Sequence, residues 1–528
     1  MPLLNEFLVN LRGFVRAQDG DSIRAWLQVS PGAPQQYYTL ASELKSQFGN
    51  AGAGAGAAPK GKGKGDAALE AAVERGLPED DVVEEGQGTT WPGFVTFVKD
   101  YMLFWRDVDF DDLVKAHSLL SGLVNSCSTA FANPSYGGML LKTSMSLSEV
   151  LVQLTMMLNK RPDLTSRLRS GDEESRKSVA ETSAEIIQKI FTTCLTDRSS
   201  ARNSRPEGKK VGVYMFANLV LKLLFACRKT HLAKQIFTNI STNSPPLSLY
   251  PAAQRVTFLY YLGRFNFSNN HALRAANCLE EAYLQTPPSF TTHRTLILTY
   301  LIPAKLLLGL LPSQALLYRP EAAPLAPVFA PLRDAIRKGD FHLYQRTLAA
   351  HEPWLFERGI LLHLTHRPRP YLWRSLSRRV FLLTYTPPSD PASRKAPLLD
   401  LPHLLAAAIY LHRRMEGYAP ALATLPGPDA TTTLSPPAGG PRKLRPNEGM
   451  VWGNTLPTAQ DVEMAVATMV QQGLMHGYVA HDMEKFAVMG AKTKGAVVAG
   501  WPVVSKAVRE RRYEEDVDLD EVPGWVKG

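Results

Sequence analysis

Apolar positions recur at spacings of three and four along most of the chain, and this periodicity predicts helices from the first residues onward. Residues 3–17 and 22–29 read as two short amphipathic helices, closed by the Pro/Gly break at 31–34. From Trp91 the pattern strengthens. Phe94, Phe97, Tyr101 and Phe104 share one stripe, continued by Val114, His117, Leu120 and Val124, and the aromatics read as core. Segments 147–160 and 179–196 repeat it, and 211–313 reads as successive antiparallel helices, including 255–265, 271–285 and 295–308. Further helices are predicted at 326–337 and 371–384, with another ending at Gly417. After Thr458 the pattern changes to a helix opened by Asp461, a stop at Gly473, and two short extended runs around Tyr478 and Phe486. Helices followed by a hairpin is the order of a winged helix. The expected fold is mainly α, a TPR-like helical-repeat solenoid followed by a C-terminal winged-helix module.

Composition divides the chain further. A Gly/Ala/Lys run starting at Asn50 is too poor in large apolar groups to offset the entropy of ordering, and it reads as a flexible insert. The expected organisation is N-terminal helices at 1–50, this insert and an acidic linker at 51–90, and a helical region at 91–210. A helical-repeat part follows at 211–384, then a winged-helix part at 385–495 with a Pro-rich insertion at 420–450, and a charged tail at 496–528. The chain has 528 residues, 45% of them hydrophobic, enough for at least one large core. Its most apolar stretch, 215–227, is interrupted by Lys222 and too short to span a bilayer, so no membrane partner and a soluble protein of the nucleus or cytoplasm are expected.

No catalytic centre is legible. Cys127, Cys194, Cys227 and Cys278 are dispersed, without metal-knuckle spacing. His117, His231, His271, His342 and His351 are scattered, and the glycine runs lack phosphate-loop spacing, so neither an enzyme nor a bound cofactor is expected. Fifty-nine Lys and Arg against 49 Asp and Glu give a net charge of +10, which permits a polyanionic partner without specifying one. The densest basic run is Arg367, Arg369, Arg374, Arg378, Arg379, Arg394 and Lys395, opposed only by Asp390. Arg413, Arg414, Arg442, Lys443 and Arg445 would extend it if the fold brings them together. Such a field suits nucleic-acid phosphates, an acidic protein surface or plain solvation. Arg255, Tyr260, Tyr261, Gly263 and Arg264 suit helix packing or partner contact, whereas Gly339 and Asp340 after Lys338 suit a turn and cap. Lys492, Lys494, Lys506, Arg509, Arg511 and Arg512 precede the acidic run 514–521, a split that solubility explains more simply than self-inhibition.

Five segments carry a family resemblance: QRVTFLYYLGRFNF (254–267), LILTYLIPAKLLLGLLP (296–312), IRKGDFHLYQRTLAAHEPWLFERGILL (336–362), YLWRSLSRRVFLL (371–383) and VATMVQQGLMHGYVAHDMEKFAVM (466–489). In order and spacing the chain resembles the PCI-domain family over roughly 210–490, and within it the mRNA-export PCI subunits and the signalosome-associated subunit-twelve branch. The resemblance implies a nonenzymatic nuclear platform that pairs with a larger PCI scaffold protein and a small acidic, disordered, proteasome-lid-type subunit. It further implies RNA or DNA binding by the complex, coupling transcription to mRNA processing or export; the alternative is a protein-only subunit of a signalosome-associated or splicing-related complex. Gly477 and Tyr478 fall in its last motif and join the structural or partner-binding candidates. The insertion at 420–450 and the continuation after Met489 lie outside the family pattern.

Overall fold

A computed structural model describes residues 2–49, 64–77, 91–164, 177–201, 204–387, 396–420 and 434–515. The chain forms two compact units, Met1–Tyr261 with Gly524–Gly528, and Leu262–Pro523.

The regular elements of the first unit are all helices among its described residues. Its aromatic stripe is core as the periodicity predicts, with Phe94, Phe97, Tyr101, Phe104 and Trp105 all buried. Tyr101 and Trp105 both donate to the carbonyl of Gln28, at 2.7 and 3.1 Å, so the polar tips of two buried rings are satisfied by one loop group. A helix at Lys64–Gly76 departs from the flexible reading of that stretch. Leu69 and Val73 lie one turn apart and are fully buried, which supplies the apolar face that the preceding Gly/Ala run lacks. His117 sits in the core with Nε2 3.1 Å from Thr155 Oγ1 and 3.0 Å from Ser183 Oγ. Burial lowers its pKa to about 4.

In the second unit, helices pack in sequence: Ala272–Gln285 on Thr291–Leu307, then Ala326–Lys338 on both Phe341–Ala350 and Arg369–Thr384. The stack continues into a winged helix. Strand β1 (Leu398–Asp400) leads into the helix Leu401–Met415, a short β2/β3 pair (Ala419–Pro420 and Leu434–Ser435) follows, and the helix Ala459–Gln471 precedes β4 (Gly477–Ala480) and β5 (Lys485–Val488). The sheet order is β1-β5-β4, antiparallel, with Phe486 opposite both Leu399 and Val479. Thr458 and Asp461 form a reciprocal capping box that starts the helix Ala459–Gln471. The predicted solenoid-plus-winged-helix order is therefore the fold of this unit. Trp501, Ala507 and Val508, which no sequence signal singled out, are buried, and the helix Val504–Glu515 extends the unit beyond the hairpin.

Gly339 takes the left-handed conformation (φ 69°) that ends the helix Ala326–Lys338, and Asp340 caps the next helix by accepting from the Leu343 amide at 2.9 Å. A Cβ at Gly339 would strike the backbone of Leu376. Gly359 has a similar φ of 67° but open space around it. Gly359→Ala is therefore expected to cost about 1 kcal/mol, the left-handed penalty alone, and Gly339→Ala about 3 kcal/mol, measured as shifts of the urea midpoint. For His117, the folded-state pKa lies below the unfolded value near 6.5, so its neutral form is favoured by folding. That stability is present above pH 6.5 and lost as pH falls towards 4, by roughly 3 kcal/mol. Urea titrations between pH 7 and pH 4 should show the loss in wild type and a flatter profile in His117→Gln.

Candidate functional site

The basic run lies on the helix Arg369–Thr384 and its approach, and the fold divides its residues between two tasks. Arg369 points into the loop that follows the Pro-rich stretch, donating to the carbonyls of Asn447 (3.0 Å), Gly449 (2.6 Å) and Met450 (2.9 Å). Arg374 donates to Leu474 (3.2 Å), Trp501 (3.2 Å) and Pro502 (2.7 Å). Burial lowers the pKa of both, that of Arg374 to about 10 with help from neighbouring Arg378. These two guanidinium groups are committed to main-chain carbonyls. Arg367 and Arg379 are exposed and Arg378 is half-buried. Arg394 and Lys395 lie outside the described residues.

The second basic group is held in ion pairs. Arg413 pairs with buried Glu416 at 2.9 Å and lies over the Tyr418 ring at 5.0 Å. Arg442 meets Glu448 at 3.2 Å, and Arg445 meets Glu352 at 2.7 Å. Arg414 is half-buried and Lys443 exposed. The acids of the first two pairs are largely buried, so these pairs organise the loop around Glu416 and Glu448, whereas the exposed Arg445 pair contributes little to stability.

What the fold does bring together is a groove of about 480 Å³, where Arg378 and Arg379 face Arg337 and Lys338. Sequence reasoning missed the last two as partners of the basic run, because they sit in the terminal turn of the helix Ala326–Lys338, where cations are ordinary helix-end residues. Their only signal was the Lys-Gly-Asp turn, which Gly339 requires for its close approach to Leu376.

The remaining candidates fall into packing and edge positions. Arg255 donates to the Ser248 carbonyl at 3.1 Å, Tyr260 and Tyr261 are ring neighbours at 5.2 Å, and Tyr261 also meets Phe225. Gly263 allows close approach of Leu279, and Arg264 lies over the Tyr300 ring at 4.6 Å. Gly477 belongs to edge strand β4, where a Cβ would strike the Ala487 carbonyl and the Phe486 ring. Tyr478, next to it, is 56% exposed. Among the described strands β4 pairs only with β5, which leaves an edge, and Tyr478, Met464 and Met483 are exposed in the same winged helix. Among the described residues, no group of three or more His, Cys, Asp or Glu side chains is placed to hold a metal ion, and no helix is long and apolar enough to cross a membrane.

No family model matches the chain. It is similar to a PCI domain-containing protein of Schizosaccharomyces pombe, 31% identical over 293 residues that cover 55% of this chain and 63% of that protein. It is also similar to the protein CSN12 homolog of Neurospora crassa, 36% identical over 215 residues, 40% of this chain and 46% of the relative. A third relative is the PCI domain-containing protein 2 homolog of Drosophila melanogaster, 27% identical over 249 residues, 46% and 61% of the two chains. The matches thus span less than two thirds of the length of these relatives.

Removing the Arg369 side chain leaves three loop carbonyls without their donor. Arg369→Ala should cost about 2–3 kcal/mol by urea denaturation and speed proteolysis within 446–453. Arg369→Lys should restore only part, because one ammonium cannot reproduce the fork.

Proposed function

The chain belongs to the PCI-domain family, in its CSN12 branch, and from that premise we propose that it is a nonenzymatic scaffold subunit that associates with another PCI-domain protein in a multiprotein complex. The observation that carries this reading is β4, which among the described strands pairs on one side only and carries exposed Tyr478, together with exposed Met464 on the helix Ala459–Gln471. A strand edge supplies main-chain donors and acceptors for a second sheet, and exposed aromatic and methionine side chains are the residues that interfaces favour. A protein-only role in a signalosome-associated or splicing-related complex is the reading with most support. We assign the complex to the nucleus and include in it a small acidic, disordered subunit, for which the chain's positive charge is complementary.

A second reading adds RNA or DNA to the complex and couples transcription to mRNA processing or export. The exposed cations Arg367, Arg379 and Lys443, for which no ion pair is found among the described residues, favour it. Arg369 and Arg374 have no part in it, since their guanidinium groups hold main-chain carbonyls.

The test is a tagged pull-down from nuclear extract at moderate salt, with mass identification of every stoichiometric partner, comparing wild type with Tyr478→Asp/Met464→Asp. Recovery of a PCI scaffold and a small acidic chain by wild type, with the scaffold lost in the folded variant, is the expected outcome. A folded wild-type protein that recovers no PCI partner would overturn the scaffold reading. Salt-sensitive RNA retention by the purified complex, reduced by neutralising Arg367, Arg379 and Lys443 together, would move the weight to the second reading.

A further inference from the structure

We propose that the groove between the end of the helix Ala326–Lys338 and the helix Arg369–Thr384 is a binding site for a compact, multiply phosphorylated small molecule. This goes beyond the scaffold reading and does not depend on which protein meets the sheet edge.

The groove encloses about 480 Å³, within the range of ligand pockets at about 300–1,000 Å³. Four basic residues from two helices line it, Arg337 and Lys338 on one side and Arg378 and Arg379 on the other, and no Asp or Glu is among its described lining residues. None of the four makes an ion pair among the described residues. Arg374 adds a fifth positive charge at the wall, immobilised by its three carbonyl acceptors. Ser375 supplies a hydroxyl.

Cations lining one groove repel one another, and an anion bearing several charges relieves the repulsion while guanidinium forks engage phosphate oxygens two at a time. Anions with a single charge would leave most of it in place. The walls then restrict the class of ligand. Leu311, Leu382 and Val504 bound the groove with apolar groups. The one aromatic among the described lining residues, Tyr371, is 9% exposed and spends its hydroxyl on the Leu307 carbonyl at 2.8 Å. A nucleobase would find no open ring to stack on, and single-strand binding relies on such stacking as well as on charge. The geometry therefore favours a dense cluster of phosphates over a nucleic-acid strand.

The test uses the full-length chain and inorganic tripolyphosphate as probe, by isothermal titration and thermal melting at near-physiological salt. One site per chain and a raised Tm are expected, with orthophosphate binding much more weakly. Arg378→Gln/Arg379→Gln should weaken tripolyphosphate binding at least about tenfold, and without ligand its Tm should equal or exceed that of wild type because repulsion is relieved. Lys338→Gln, exposed at a helix end, provides a second variant if the first fails to fold, and Lys492→Gln/Lys494→Gln should leave binding unchanged. Tripolyphosphate binding unaltered by the folded groove variants would overturn the site. So would RNA binding lost in those variants with no saturable binding of tripolyphosphate, which would assign the groove to nucleic acid.

Discussion

Arg369 and Arg374, little more than one turn apart on a single helix, join the helical stack of the second unit to its winged helix through six hydrogen bonds to main-chain carbonyls. Each guanidinium presents donors in a fixed plane, so it can span carbonyls from segments distant in sequence in a way that a single ammonium cannot. Arg369 holds the loop 447–450 and Arg374 holds the turn before β4 together with the entry to the last helix. Desolvation of both groups is offset by those acceptors, and the same contacts fix where the end of the helix that carries Arg378 and Arg379 must lie.

That constraint sorts the chain's positive charge. Residues that read as one basic run divide into buried anchors, paired loop cations around Glu416 and Glu448, and the groove set that faces Arg337 and Lys338. The winged-helix sheet contributes a different kind of surface, with an edge strand and exposed Tyr478 lying at the opposite extreme of polarity from the groove. The first unit adds an aromatic core in which the Gln28 carbonyl receives both Tyr101 and Trp105 and His117 is held neutral.

Helix type and order were legible in the sequence because they rest on local periodicity. The stripe Phe94–Phe104, the Gly339 stop with its Asp340 cap, the Thr458 and Asp461 start and the final hairpin all follow from residues within a few positions of one another. The helix Lys64–Gly76 was obscured by the glycine-rich run before it, and the burial of Trp501 by the charged residues after it, since composition averages over neighbours that the fold treats separately. Tertiary structure alone decided which arginines face solvent and which face carbonyls. Arg374, Arg378 and Arg379 are chemically equivalent in sequence, and only the position of Leu474, Trp501 and Pro502, set by contacts across 100 residues or more, makes the first an anchor and leaves the others lining a groove. Periodicity is a property of the local chain, whereas the environment of a charge is a property of everything packed around it.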